Sequence, residues 1–140
     1  MESLLDELSK YKNNGNFVLA NGDKLSKLCN APEKPGIYCI FKVCNGEKDL
    51  VYIGASGTMK RNGKFKNQLL RGRINAKQEG MPRQKYFTKQ FHTNDIENFE
   101  IYWFVTYDAH SKHLPKYVEG VLLQKYFELK GCLPLWNKEF

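Results

Sequence analysis

The sequence lacks any apolar run of 18 or more residues, and its four cysteines include no Cys-x-x-Cys pair. The first absence argues against a membrane-spanning helix, and the second leaves no signature of a zinc cage or a redox motif. Acidic residues stand near the amino terminus where a secretory signal would be basic, so we expect a cytoplasmic protein that contacts no membrane. We expect buried, reduced thiols, and we interpret His110 and His113 as part of a solvated turn because further ligands are missing.

Acidic residues are also nearly absent from one quarter of the chain. Between Gly57 and Phe91 the sequence has ten basic residues and a single acidic one, Glu79. The remaining residues include 12 basic and 14 acidic side chains, so the net charge of +7 comes from this segment alone. Positive charge gathered in this way is typical of a surface that binds a polyanion such as a nucleic acid, and a merely solvated basic face is the alternative.

The residues of this segment that we expect to contact a nucleic acid are Lys60, Arg61, Lys64, Lys66, Arg71, Arg83 and Lys85. Four aromatic side chains lie among them, namely Phe65, Tyr86, Phe87 and Phe91. These rings either pack below the charges or stack on bases.

A chain of 140 residues, 41% of them hydrophobic, suits one core, so we expect a single domain over residues 1–140. Hydrophobic periodicity predicts helices over residues 2–12, 65–79 and 115–130, with a further short helix after Asn21-Gly22. It predicts strands over 37–43 and 50–54, joined as a hairpin by a longish loop, and a strand over 99–107 in the middle of the sheet. The order indicates a three-stranded sheet flanked by helices.

Two charged residues lie on helical rows that are otherwise apolar. Glu119 shares its row with Leu123 and Phe127, and Arg73 shares its row with Leu69. An ionised group in such a place needs a partner, a metal or a water-filled cleft. The alternative is a side chain that reaches solvent from the edge of the core.

Two strand tyrosines, Tyr38 and Tyr52, occupy the even-numbered face of the predicted hairpin, opposite the apolar sets that include Val51 and Ile53. A suitable register makes them neighbours. They belong to the tripeptides Gly36-Ile37-Tyr38 and Tyr52-Ile53-Gly54. This ordered pair resembles the signature of the GIY-YIG nuclease family.

Further features agree with that family in order: Arg73 in a Leu-x-x-x-Arg-Ile context, Glu119 near the start of the last helix, and Asn137 near the end. The resemblance covers residues 35–140 and leaves residues 1–34 as an amino-terminal helical extension. It implies an α+β domain of GIY-YIG type with a mainly antiparallel sheet.

The resemblance also implies an activity, that of a hydrolase. A GIY-YIG endonuclease hydrolyses DNA phosphodiester bonds with one Mg²⁺ or Mn²⁺ ion per active site, which Glu119 would bind. Tyr52 would take the proton from the attacking water, Arg73 would clamp the phosphate, and Tyr38 would orient either Tyr52 or the phosphate. Structural roles would fall to Gly36, Gly54 and Asn137.

The long segment between Tyr52 and Arg73 resembles the restriction-endonuclease branch, in which a lysine of the insertion joins the catalytic site. Lys60 and Lys64 are the candidates, and spacing does not choose between them. Lys77 stands where the family often carries His or Tyr. A positive charge beside Tyr52 would lower the pKa of its phenol, and Lys60, Lys64 or Lys77 could supply that charge.

The expected partner is double-stranded DNA. Cutting both strands requires two active sites, through a homodimer on DNA or through successive nicks. A non-catalytic nucleic-acid-binding module on the same fold is the alternative function.

Overall fold

The fold is α+β, and its computed structural model describes residues 2–66 and 68–140. The main strands are β1 (Asn14–Ala20), β2 (Gly36–Cys44), β3 (Glu47–Ala55) and, later in the chain, β8 (Asn98–Val105). Two small hairpins lie between them, β4 (Thr58–Met59) with β5 (Phe65–Lys66) and β6 (Lys77–Gln78) with β7 (Met81–Pro82). The helices are α1 (Glu2–Glu7), α2 (Leu25–Leu28), α3 (Leu70–Ile74), α4 (Arg83–Thr93) and α5 (Pro115–Lys130).

The main sheet has four antiparallel strands in the order β1-β8-β2-β3, so the prediction of three strands is wrong. The additional strand, β1, comes from the amino-terminal segment, which is therefore not purely helical. Its side chains alternate, with Phe17 and Leu19 buried and Val18 exposed, as is typical of an edge strand with one covered face. Strand β1 begins with Asn14 and Gly15, a pair that is typical of a turn, so the sequence pattern does not predict a strand here.

The predicted β2–β3 hairpin is confirmed, but its loop is shorter than expected. Both strands continue to a two-residue turn at Asn45 and Gly46, whose φ angles are 51° and 78°. Two positive φ angles in succession suit the right-handed twist of a hairpin, and Asn-Gly tolerates them best.

A bulge in β3 changes the face of one residue. Ile40 pairs with Tyr52 and Phe41 pairs with Leu50, so Val51 has no partner in the register. Val51 consequently packs in the same cluster as Tyr38, whereas Ile53 packs on the opposite face. The expectation that Val51 and Ile53 share a face is wrong for this reason.

Helices cover both faces of the sheet. Helices α1 and α5 pack on one face around Leu8, Leu122 and Phe41, and the other face is covered by α2, α3, α4 and the carboxy-terminal Trp136. Strand β8 lies between two strands, which confirms its predicted central position. One of its faces is buried, and the other is only partly covered, since Glu100 and Tyr102 are half-buried. No helix in the described ranges is long and apolar enough to cross a membrane.

The predicted helix over residues 65–79 is wrong. Phe65 lies in β5 with its ring centroid 5.1 Å from that of Tyr107, and helical structure is confined to α3. A tight turn at Glu79 and Gly80 then closes the β6–β7 hairpin. Periodicity was misleading here because two apolar anchors of different elements fall at helical spacing by coincidence.

Helix α4 was not predicted, because its buried side is carried by Tyr86 and Phe87 within a strongly basic stretch. Both rings are buried below the charges, so neither is available to stack on bases. Helix α5 matches its prediction, with Pro115 in its first turn and Gly131 at its end.

Candidate active site

Two phenols lie side by side on the sheet face that α2, α3 and α4 cover. Tyr38 is 1% exposed, Tyr52 is half-buried, and their ring centroids are 5.9 Å apart. Register accounts for this contact, because Tyr38 pairs with Gly54 and Tyr52 pairs with Ile40, so the two rings project from one face of adjacent strands. The two tyrosines are neighbours, as alternation predicts.

Glycines make room for the phenols and for the strand that holds them. A Cβ on Gly54 would lie 2.6 Å from Cζ of Tyr38 and 2.8 Å from Cε2 of Tyr52. A Cβ on Gly36 would collide with the backbone carbonyl oxygen of Phe104 on β8. Both glycines of the two tripeptides are therefore required by close packing.

Arg83, at the start of α4, is 2% exposed and is not part of the exposed basic surface that the sequence predicts. Its Nη1 donates to the Tyr38 hydroxyl at 2.9 Å and to the backbone carbonyls of Arg73 and Ile74 at 3.1 and 3.2 Å. Its Nη2 donates to Oε1 of Gln78 at 2.9 Å. The guanidinium carbon lies 5.2 Å from the Tyr38 ring centroid and 5.4 Å from that of Tyr52.

No carboxylate in residues 2–66 and 68–140 forms a salt bridge with Arg83, and its buried Nε has no hydrogen-bond partner. Burying a cation without a counter-ion costs several kcal/mol, even after the protein relaxes around it. Sequence contains one signal for this placement, since Arg83 shares a helical row with the buried aromatic residues Tyr86 and Phe87. The uncompensated charge makes this end of the sheet attractive to an anion.

Glu119 lies in the second turn of α5, half-buried, at the end of β3. The backbone N–H of Ala55 faces its carboxylate. Burial raises the pKa of Glu119, and the charge of Lys116, the Ala55 N–H and the charge of Arg73 oppose that rise. The structure thus brings the predicted Arg73 and Glu119 within electrostatic reach of each other.

The Tyr52 phenol interacts with most of these groups. Burial, and then the neighbouring Tyr38, raise the pKa of Tyr52 to about 12. The charge of Arg83 lowers this pKa, whereas the charge of Glu119 raises it. Tyr52 is therefore the point where the phenol pair, the buried guanidinium and the carboxylate meet.

No protein-family model matches the chain, and comparisons with curated proteins and with solved structures give no match. The function of the site has to be argued from its own residues.

Of the three candidate lysines, Lys77 is the one that shares a cavity with a predicted site residue. Lys77 is exposed and lines an open cavity of about 510 Å³ together with Arg73 and Gln68. Lys60 and Lys64 are exposed at the tip of the β4–β5 hairpin, where the backbone N–H of Lys60 donates to the Lys64 carbonyl at 2.8 Å. The hairpin leaves β3 directly, so both lysines are carried by the segment that follows the Tyr52 strand.

The other predicted nucleic-acid contacts differ in their surroundings. Arg61, Lys66 and Lys85 are exposed. Arg71 is exposed as well, but its Nη1 donates to the backbone carbonyl of Cys29 at 2.8 Å. Part of the donor capacity of Arg71 is therefore used to hold the α2 segment against α3.

Asn137 fastens the carboxy-terminal tail to the edge of the sheet beside Tyr52. Its Nδ2 donates to the carbonyl of Ile53 at 2.9 Å, and its Oδ1 accepts from the N–H of Ile53 at 3.0 Å. Ser56 makes a comparable link at the end of β3, because its buried hydroxyl bridges the backbone N–H and C=O of Gly36 at 2.8 and 3.0 Å. Both links fix the strand ends that carry the site.

The described residues contain no group of three or more His, Cys, Asp or Glu side chains that could hold a metal. His113 is exposed, with Nδ1 2.7 Å from the hydroxyl of Tyr11. All four cysteines are free, but the expected burial holds only in part: Cys29 and Cys39 are buried, Cys44 is half-buried and Cys132 is exposed. A cation at the candidate site would rely on Glu119 alone for its protein carboxylate.

Proposed function

We propose that the protein is a divalent-metal-dependent endonuclease that hydrolyses DNA phosphodiester bonds at this site. The observation that carries the proposal is a pair of guanidinium groups, Arg73 and Arg83, neither of which forms a salt bridge within the described residues, beside two phenols and a half-buried carboxylate. The Arg73 guanidinium lines the open cavity and suits a phosphate, the buried charge of Arg83 adds to the positive potential there, and the oxygen groups suit activation of water. The ordered Gly36-Ile37-Tyr38 and Tyr52-Ile53-Gly54 tripeptides and their resemblance to GIY-YIG nucleases support the same assignment.

Arg73 is the residue that would hold the scissile phosphate. Its side chain lines the open cavity that Lys77 and Gln68 share, which leaves space for a phosphate group. Its Nε is buried and has no hydrogen-bond partner within the described residues. A planar guanidinium binds phosphate oxygens through two parallel hydrogen bonds.

Tyr52 is the residue that would take the proton from water. With its pKa raised to about 12, the phenol is protonated at neutral pH, and only a small fraction is ready to act as a base. The cleavage rate should therefore rise about tenfold per pH unit between pH 7 and 9. Tyr38 accepts its hydrogen bond from Arg83, and this bond fixes the ring against which Tyr52 packs.

A hard divalent cation fits the carboxylate of Glu119. Mg²⁺ retains several waters and is held by one or two carboxylates together with phosphate oxygens, so a single half-buried glutamate beside a phosphate site suffices. When bound, such a cation stabilises charge on the phosphate and on the leaving oxygen.

The experiment is cleavage of supercoiled plasmid and of short branched duplexes, with Mg²⁺ or Mn²⁺ and with EDTA. We expect metal-dependent nicks or fragments from the native protein and none from Tyr52→Phe. Tyr126→Phe is the matched control, because it removes one phenolic oxygen beside Lys42 and Asp49 at the opposite end of the sheet. Cleavage by Tyr52→Phe at the native rate would remove Tyr52 from the mechanism.

The second candidate function is a DNA-binding module without turnover. The raised pKa of Tyr52 favours it, because a phenol that keeps its proton at neutral pH is a poor base. Under this alternative both proteins retard DNA in a gel and neither cuts it with any metal.

A further inference from the structure

A second basic cleft opens beside the amino-terminal segment, outside the predicted basic stretch of residues 57–91. Its volume is about 540 Å³, and it is lined by residues from three separate parts of the chain. Lys10 and Lys12 come from the segment before β1, Lys34 from the segment before β2, and His110 from the loop after β8. We call Lys10, Lys12 and Lys34 the lysine cleft.

The lysine cleft and the candidate active site lie at the same end of the sheet. Strand register places Gly36 of β2 opposite Val105 of β8, and Ile37 opposite Ala55 of β3. The N–H of Val105 donates to the carbonyl of Asn13, at the start of β1. Because Ala55 also lies beside Glu119, one continuous edge runs from the candidate active site to the lysine cleft.

The separation along this edge follows from the strand order. Three strand spacings lie between β3 and β1, and neighbouring strands are about 4.8 Å apart, so the ends of these two strands are about 14 Å apart. Because the backbone winds around the duplex while it rises about 3.4 Å per nucleotide, phosphates at this separation lie roughly two nucleotides apart along one strand of B-form DNA. A single nucleic-acid strand can therefore reach both.

The charge of the cleft is positive on balance. Its acidic lining residue, Asp108, accepts the N–H groups of His110 and Ser111 at 2.8 and 3.0 Å, and these bonds lower the pKa of Asp108. Lys10 forms a loose, exposed ion pair with Glu7 at 3.8 Å, which is worth little in water. Three lysines thus stand beside one acid that is occupied within its own loop.

We propose that the lysine cleft binds the phosphate backbone of the DNA strand that is held in the candidate active site. This inference rests on the proposed nuclease function and gives the amino-terminal segment a part in it. The three ammonium groups are exposed, and the neighbouring Tyr11 ring is buried, so the cleft offers point charges and no stacking platform. Contacts of this kind hold the backbone and set its path without reading bases.

The test is the salt dependence of DNA binding, measured by fluorescence anisotropy of a labelled duplex in EDTA. Each phosphate that a protein neutralises adds about 0.9 to the slope of log K against log salt. The variant Lys10→Gln/Lys12→Gln/Lys34→Gln should therefore lose about two to three units of slope. A control of equal charge, Lys27→Gln/Lys42→Gln/Lys130→Gln, should keep a slope within about one unit of the native value.

A second measurement leaves the protein unchanged. Replacing single phosphates by neutral methylphosphonates should weaken native binding at a position about two nucleotides from the cut, and should have no effect on the lysine variant there. Equal slopes for the lysine variant and the control would overturn the inference. Failure of the native protein to bind DNA at all would instead overturn the proposed function, so the two failures are distinguishable.

Discussion

Replacing Gly54 by alanine tests whether close packing of the two phenols positions the candidate site. The added Cβ would lie 2.6 Å from Cζ of Tyr38, and ordinary contact begins near 3.4 Å, so the ring has to move by about 0.8 Å. Tyr38 is fully buried and bound by Arg83, so it cannot simply turn into solvent. Overpacking of this kind costs about 1–3 kcal/mol, or roughly 5–10 °C in melting temperature for a chain of this size. A displacement near 1 Å at reacting groups lowers the rate by about 100-fold.

Thermal unfolding measures the loss of stability in Gly54→Ala, and single-turnover cleavage measures its loss of rate. Gly120→Ala is the control, because its Cβ would meet only the exposed ring of Phe140, at 3.3 Å, and alanine favours a helix interior over glycine by about 1 kcal/mol. We expect Gly120→Ala to be as stable as the native protein or more so, with full activity. Native stability and native cleavage by Gly54→Ala would refute the reasoning that the phenols are held by steric fit.

Further predictions concern the groups that surround the phenols. Arg83→Lys keeps the charge but cannot bridge four acceptors, so unfolding measurements should show a loss of about 2–3 kcal/mol, and an unchanged stability would contradict the hydrogen-bonded role. Asn137→Ala removes both bonds to the Ile53 backbone and should cost about 1–2 kcal/mol, with faster hydrogen exchange at the Ile53 amide as the specific sign. Burial raises the pKa of Glu119 above its ordinary 4.5, so the folded state holds this proton more tightly than the unfolded chain. The stability that this group contributes is therefore present at low pH and declines as pH rises through the raised pKa. Relative to the native protein, Glu119→Gln should become more stable between pH 4 and pH 7. A difference in unfolding free energy that stays constant over this range would contradict the prediction.

The sequence predicts those parts of the site that regular strands carry. Tyr38 and Tyr52 were expected to be neighbours because alternation on two strands fixes their faces, and the bulge at Val51 does not disturb Tyr52. Helix α5 was equally predictable, because Pro115 and Gly131 mark its ends and so place Glu119 in its second turn.

The segment between β3 and β8 was not predictable in the same way. Its apolar anchors, Phe65 and Ile74, belong to different short elements, and their spacing imitates one helix. Burial of Arg83 depends on the fold of this segment, because its partners are the Tyr38 hydroxyl and backbone carbonyls that only the folded chain brings together. Counting charges along the sequence treats every arginine as a surface residue, and therefore does not predict that Arg83 is buried.

The most direct test of the account compares Glu119→Gln with Glu128→Gln, since both remove one carboxylate from α5. Glu128 is exposed and, within the described residues, its carboxylate accepts a hydrogen bond only from Gln124 on its own helix, at 3.0 Å. Single-turnover cleavage with saturating Mg²⁺ and DNA binding in EDTA would be measured side by side. The account predicts that Glu119→Gln binds DNA and does not cut it, whereas Glu128→Gln cuts at the native rate. Cleavage by Glu119→Gln at the native rate would contradict the assignment of this site as the hydrolytic centre.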